Sequence, residues 1–353
     1  MREVAGDVER WRDAGKRVAV ATVISVSGSA PRGIGAALAV NEDGEIAGSV
    51  SGGCVEPDVI ERGLGLIRAS GKSTPAPEVL EYGISDDQNF ERIGLSCGGE
   101  IRVLVDVVDA RHDALLRDLR AGREALLAEI VAAPAERASL LGRAATWAPP
   151  AAWPGGLAPE LDTAGAAAAQ DLLQRGVSET RMLPLAGAGP AEVFFAAYPA
   201  PPALVIVGAS HVAIPLSRIA RVLGYRVTVV DAREAFATPE RFPDVDELLV
   251  EWPDEALRRL PLYRSTAVAI LTHDPKFDDP ALQVALAAPV GYVGAIGSRG
   301  THAQRDARLR VAGVPDDQIA RIHSPIGIDI GAKTPEEIAL AVMAQIVAAK
   351  HGR

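Results

Sequence analysis

Hydrophobic positions along this chain follow two periods, the alternation of strands and the three-to-four spacing of helices. Arg17–Val26 (RVAVATVISV), Glu78–Tyr82 and Ile101–Val108 (IRVLVDVV) are short runs, rich in β-branched residues, that predict strands. Ala36–Val40 and Glu45–Ser51 flank the turn Asn41-Glu-Asp-Gly44 and predict a hairpin. Helical spacing places Val4, Val8 and Trp11 on one side of an opening helix over 3–15. A second helix is predicted over Pro57–Ala69, with proline tolerated in its first turn. Asp113–Ala132 is predicted helical throughout, with Leu115, Leu116, Leu119, Leu126, Leu127 and Ile130 supplying its apolar faces.

The stretch 134–165 is rich in Ala, Pro and Gly and has the composition of a linker. The residues after it resemble a worn copy of the beginning. Leu161–Gly176 (LDTAGAAAAQDLLQRG) parallels the helix Asp58–Gly71 (DVIERGLGLIRASG), and Glu192–Ala197 parallels Glu100–Val105. That parallel places 1–199 in one domain of mixed α+β character. It also marks the Gly-Gly-Cys turn and the segment Gly83–Gly99, absent from the second copy, as serving chemistry more than folding.

Past Tyr198-Pro-Ala-Pro-Pro202 the pattern changes to buried strands alternating with helices, the signature of a doubly wound parallel sheet over 200–353. Ala203–Val207 runs into Gly208-Ala-Ser-His211 and a helix start, and a second strand, Arg226–Val230, ends in Asp231. This is the opening β-α-β of a dinucleotide-binding fold with a reduced fingerprint. Gly208 keeps the tight turn, Ser210 stands where a second glycine lets backbone approach a pyrophosphate, and Ala213 replaces the third. Asp231 is placed to accept from a ribose hydroxyl, while Arg233 would suit a phosphate, so NAD and NADP are both left open. Any nucleotide is expected over His211. The strand ends Thr272-His-Asp274 and Gly297-Ser-Arg299 are expected along the carboxyl edge. They bring His273, Gly297, Ser298 and Arg299 there as candidate binding residues. Thr334-Pro-Glu-Glu337 reads as a capping box that launches a last, alanine-rich helix. Its apolar stripe can pack on its own domain or on a second chain.

Composition narrows the classes. Hydrophobic residues make up 48% and charged ones 23% of 353 residues, as in an ordinary globular protein of two or three domains. The net charge of −10 argues against nucleic acid and anionic membrane surfaces as partners. No apolar run is long enough to span a membrane, and the charged start MREVAGDVERWRDAGK is no secretory signal. Two cysteines make no disulfide framework, and a reducing cytoplasm is the expected location.

Those two cysteines are the strongest chemical signal. Each touches a Gly-Gly pair, in Gly48-Ser-Val-Ser-Gly-Gly-Cys-Val-Glu56 and in Leu95-Ser-Cys-Gly-Gly-Glu100. Glycines free to take positive φ let a turn expose its N–H groups, and a cysteine before a helix sits where the dipole favours a thiolate or an anion. A shared site is expected, built from Ser51, Gly52, Gly53, Gly98 and Gly99 as anion binders. Cys54 and Cys97 are its reactive groups, and Arg32 of the Gly28–Gly35 loop its cation. Taken alone, Arg32 is a solvated loop charge and either cysteine is packing.

The motifs GSAPRGIG, GSVSGGCVE, SCGGE, VGASHVA, THD, GAIGSR and SPIGIDIGAKTPEEIA, in this order from about residue 16 onwards, resemble the XdhC/CoxI family of molybdenum-enzyme accessory proteins. Ser210 departs from the usual GAGHV of that family. The resemblance implies a cytoplasmic maturation factor. Such a factor binds molybdenum cofactor, as molybdopterin or a dinucleotide form, and shelters it while a cysteine desulfurase installs its sulfido ligand; the resemblance thereby implies Cys54 as the metal-facing ligand. It then passes the cofactor to a xanthine dehydrogenase-type apoenzyme, and the resemblance also implies a homodimer. Two other readings compete with it: an NAD(P)-dependent oxidoreductase using the second domain, and a scaffold between apoenzyme and desulfurase in which both cysteines are dispensable.

Overall fold

The computed structural model describes residues 1–71, 75–83 and 98–352, without the side chain of Arg299. The chain divides into two compact units, Met1–Pro199 and Ala200–Arg353.

The first unit opens with α1 (Ala5–Asp13), then β1 (Val18–Ser27), β2 (Ala37–Asn41), β3 (Ile46–Gly48), α2 (Glu56–Ala69), β4 (Glu78–Tyr82) and β5 (Glu100–Val107). It continues with α3 (Ala110–Arg120), β6 (Ala125–Ala132), β7 (Ala144–Trp147), α4 (Pro159–Arg175), β8 (Glu179–Leu183) and β9 (Ala191–Tyr198). Two antiparallel sheets result, ordered β3-β2-β1-β5-β4 and β7-β6-β9-β8. Leaving β3 aside, the second order repeats the first, with α4 standing where α2 stands. Even the irregularity recurs, since β1–β5 shifts register at Val23/Ser25 and β6–β9 at Ile130/Ala132. The two segments paired by sequence, α2 with α4 and β5 with β9, therefore occupy equivalent places.

The inner sheet faces share one core, in which Val20 and Leu104 meet Leu127 and Phe194. Val59 and Ile67 of α2 cover the outer face of the first sheet, and Leu161 and Leu172 of α4 that of the second.

One expected element is wrong in its second half. The helix predicted over 113–132 stops at Arg120, the chain reverses at Gly122 with φ 69°, and Ala125–Ala132 is a strand. Its residues alternate between two cores, Ala125, Leu127 and Val131 on one side and Leu126, Ala128 and Ile130 on the other. A strand covered on both faces has no polar alternation, so its apolar run matches a helix as well as a strand.

A buried polar cluster ties the halves of the unit. Arg111 bonds Asp106 at 2.9 Å, Asp109 at 2.8 Å and the Gly142 carbonyl at 2.6 Å, and reaches Glu129 on β6 at 3.4 Å. Burial pushes the Glu129 carboxyl well up, and the neighbouring Asp106 adds to this against the pull of Arg111.

The second unit is a parallel sheet. Its elements are β10 (Ala203–Val207), α5 (Ala213–Val222), β11 (Arg226–Val230), β12 (Glu247–Leu249), α6 (Pro253–Arg259) and β13 (Thr266–Ile270). Then come α7 (Pro275–Ala287), β14 (Tyr292–Ala295), α8 (Arg299–Val311), α9 (Asp316–Ile319), β15 (Ile322–His323) and α10 (Pro335–Lys350). The strand order β12-β11-β10-β13-β14-β15 is that of a dinucleotide-binding fold, whose direction reverses between β10 and β13. Thr334 and Glu337 form the capping box of α10. The stripe on α10 packs on its own unit: Val342 and Ile346 are buried in the core with Leu216 and Ala220 of α5. Among the described residues no helix is long and apolar enough to cross a membrane.

Candidate functional site

In the first unit the turn between β3 and α2 closes around a carboxylate that belongs to the chain. Glu56 Oε1 accepts from Ser49 Oγ (2.6 Å) and from the amides of Val50 (3.2 Å), Ser51 (2.8 Å) and Gly52 (3.0 Å). Its Oε2 accepts from Ser51 Oγ and from the amides of Gly53 (2.8 Å) and Val55 (3.2 Å). The Cys54 amide donates to Ser51 Oγ at 3.0 Å. Partial burial pushes the Glu56 carboxyl up, but the bonds from Ser49 and Ser51 outweigh it and hold the group far below the usual carboxylate range.

This corrects the reason given for Gly52 and Gly53. Both have positive φ, 82° and 119°, and do form a concave nest of amides, but the anion in it is Glu56. Sequence reasoning missed Glu56, whose one local signal is that of an acidic residue in the first turn of a helix. Cys54 is half-buried on the core under α2, with both flanking amides fixed to one carboxylate oxygen.

The glycine segments expected to share a site do approach one another through the loop 28–35. A Cβ on Gly28 would lie 3.4 Å from Gly99 Cα, one on Gly99 would collide with the Ser29 carbonyl, and one on Gly52 would lie 3.9 Å from Pro31 Cβ. Gly98 is exposed and Gly99 buried. Cys97 lies outside the described residues. Arg32 is not an unattached cation over this site: it pairs at 2.5 Å with Glu3, whose other oxygen accepts the Ala37 amide at 2.7 Å. Among the described residues no three His, Cys, Asp or Glu side chains are grouped to hold a metal ion.

In the second unit the glycine turn is also closed by a carboxylate. Gly208 has φ 102°, and a Cβ there would collide with Thr272. Asp231 Oδ2 accepts from the Ala209 amide (2.8 Å) and Arg233 Nη2 (2.7 Å), and its Oδ1 from the Arg233 amide (3.0 Å) and Nε (2.8 Å). Burial pushes Asp231 up, but Arg233 and the Ala209 amide outweigh it and keep it below the usual range. As arranged, Asp231 holds the turn shut, each of its oxygens accepting one backbone amide and one guanidinium N–H. Ser210 Oγ is buried with no hydrogen-bond partner, while His211 and His273 are exposed. Gly297 has φ 140° and leads into Ser298, whose Oγ caps α8 by accepting the Thr301 amide at 3.2 Å; Arg299 begins the helix.

Beneath these loops lies a buried arginine that sequence reasoning did not single out. Arg305, 1% exposed, donates to the Ile296 carbonyl (2.8 Å), Ser324 Oγ (3.3 Å) and Asp278 (3.4 Å), and Asp278 accepts from Thr272. The ends of β13 and β14 and the loop after β15 are thus held to one guanidinium. A charged residue at helical spacing is normally solvated, so nothing local in the chain signals Arg305.

Comparison with known proteins follows this division of the chain. Residues 11–83 match the profile of the XdhC and CoxI family, and residues 204–346 that of the XdhC Rossmann domain. A Bacillus subtilis protein described as a probable xanthine dehydrogenase subunit is 29% identical over 333 residues, spanning 93% of this chain and 92% of that protein. The molybdenum cofactor insertion chaperone PaoD of Escherichia coli is 26% identical over 336 residues, 95% of this chain and 84% of PaoD. A crystal structure described as a xanthine dehydrogenase from Bacillus halodurans superposes with a TM-score of 0.59 at 26% identity, covering 99% of this chain and 96% of that one. The two matched segments together take in more than half of the sequence, one in each unit, and the chain belongs to the XdhC and CoxI family.

Proposed function

We propose that this protein is an accessory factor that holds molybdenum cofactor as cargo and delivers it to a molybdenum hydroxylase of the xanthine dehydrogenase type. The reading rests on one observation above all: loop 28–35 lies against Gly52 of the Cys54 turn and against Gly98-Gly99, which directly follows Cys97. A soft sulfur ligand held by a rigid turn suits a molybdenum centre carried between proteins. The named roles of the relatives, a component of a dehydrogenase and a cofactor insertion chaperone, agree with it. Cysteine desulfurase as a second partner, sulfido insertion during residence, a cytoplasmic location and a homodimer belong to the same proposal. Ser210, in place of the glycine that lets backbone approach a pyrophosphate, counts against an NAD-dependent oxidoreductase.

In this reading Cys54 faces the metal or relays sulfur, and the test is Cys54→Ser. Stability should change by about 1 kcal/mol at most, because the carboxylate of Glu56 holds the turn. Molybdenum content of the purified protein and activity of the co-expressed target enzyme should both collapse. Wild-type values in both assays would leave Cys54 as packing and refute its role.

A further inference from the structure

The turn ahead of α1, Arg2–Val4, is fixed at both ends. Arg2 Nη2 donates to the Pro199 carbonyl at 2.9 Å and to the Tyr198 carbonyl at 3.4 Å, at the end of β9. Val4 is fully buried, and it packs closely on Gly48, where the Cys54 turn begins: a Cβ there would lie 2.6 Å from Val4 Cγ1. Glu3 stands between these anchors and presents its carboxylate from a fixed post. One oxygen takes Arg32 at 2.5 Å, and the other takes the Ala37 amide at 2.7 Å. Loop 28–35 is thus held in its middle and just past its exit by one side chain. Pro31, next to Arg32, is the residue that meets Gly52 of the Cys54 turn.

The second half of the unit supplies an internal comparison. The loop between β6 and β7 leaves through Gly142, whose amide donates to the Ile130 carbonyl at 2.9 Å, as the Gly35 amide donates to the Val23 carbonyl at 2.8 Å. That exit is held from the start of α3, where Arg111 donates to the Gly142 carbonyl at 2.6 Å. Pinning the exit is therefore common to both halves and belongs to the fold. The loop arginine differs. Arg137 turns to Glu160 of α4 at 3.3 Å, whereas Arg32 shares the carboxylate that pins the exit. In the half that carries Cys54, the cation of the loop and its exit are tied to one group.

We propose that Glu3 is a positioning residue for the Cys54 site: through Arg32 it sets loop 28–35 against the Cys54 turn and limits access to the thiol. That this serves cargo exchange rests on the function proposed above; that Glu3 sets the loop does not. The Arg32 and Glu3 side chains are 37% and 39% exposed, so their ion pair is weak and the loop opens without unfolding the unit.

The full chain, produced without molybdate, is treated with iodoacetamide, and alkylation of the Cys54 peptide is followed by mass spectrometry. Wild type is compared with Glu3→Gln, Arg32→Gln and the double variant. Loss of an exposed ion pair should raise the rate about two- to fivefold in each single variant. The two variants change the local charge in opposite senses, so a shared acceleration reports opening of the loop and not a shifted thiol pKa. The double variant should match the faster single one, because both lose the same contact. Trypsin cleavage after Arg32 should quicken in Glu3→Gln, which keeps the arginine. The melting temperature of the first unit should stay within about 4 °C of wild type. Three results would overturn the proposal: rates unchanged in both single variants, accelerations that multiply in the double variant, or a melting temperature lowered by more than about 4 °C, which would make the pair a structural tie. No cargo enters this assay, so its failure leaves the molybdenum test of Cys54→Ser standing, and failure of that test leaves the role of Glu3 in setting the loop.

Discussion

Removing the Glu56 carboxylate is the sharpest test of how the first turn is built. Of the donors that converge on it, Val50 and Ser51 are 0% and 1% exposed, so water cannot readily replace the lost acceptor for their amides. The buried Val55 amide also donates to Ser51 Oγ at 3.1 Å and keeps that partner. Gly52 and Gly53 are exposed and can turn to water. A buried donor left unsatisfied costs about 1–3 kcal/mol, and the low end for two amides gives about 2 kcal/mol for Glu56→Ala. Glu56→Gln keeps one acceptor but turns an NH2 group toward donors, and about 1–2 kcal/mol is expected.

The pH dependence fixes the sign. A carboxyl whose folded pKa is depressed contributes stability that is present above the unfolded value, about 4.3, and is lost as pH falls toward the folded one. The gap between wild type and Glu56→Ala should therefore be full at neutral pH and close below about pH 4. Urea unfolding followed by Trp11, Trp147 and Trp153, all in the first unit, measures it. Alkylation of the Cys54 peptide, read by mass spectrometry, should quicken in the variant. A loss under about 1 kcal/mol at neutral pH, or a gap unchanged in acid, would refute the account.

Two other perturbations are specified by buried charges. Arg305→Met leaves Asp278 buried without its cation and should cost the second unit about 3–5 kcal/mol, with part recovered in the double variant with Asp278→Asn; additive losses in a thermal unfolding cycle would show that the two are not coupled. Glu129, whose folded pKa is raised, gives stability that is complete at low pH and lost as pH rises, by at most about 1.4 kcal/mol per pH unit between its unfolded and folded values. Glu129→Gln should remove that slope, and parallel stability–pH curves for the two proteins would contradict it.

How far the sequence is legible depends on what each residue's neighbours are. Strands β1, β2 and β10 and helices α2 and α10 are read correctly because a local pattern and a local stop signal agree. Ala125–Ala132 is misread because its neighbours β7 and β9 are distant in sequence and cover both its faces. The same limit applies to the site. The glycine turns are legible from composition, and loop 28–35 does meet Gly99 and the Cys54 turn. What occupies the turns is not, since a Glu or Asp at a helix or strand end is by default a solvated charge. Glu56 had only the weak local signal of an acidic first turn, whereas Arg305 depends wholly on Ile296, Asp278 and Ser324 arriving from other elements.

The two units solve one local problem in the same way. In each, a glycine with positive φ exposes backbone donors at the entrance to a helix, and in each the chain supplies its own carboxylate to accept them, Glu56 for the first and Asp231 for the second. An internal anion rigidifies the turn and keeps phosphate or chloride off the donors it occupies, because a second negative charge in the same place is disfavoured. Under the proposed function, recognition then comes from what the first turn leaves outside the carboxylate: Cys54, with the loop 28–35 and Gly98-Gly99 beside its turn. That set combines a rigid backbone with a soft contact. Such a site suits a carrier, which must bind firmly enough to shelter its cargo and weakly enough to release it.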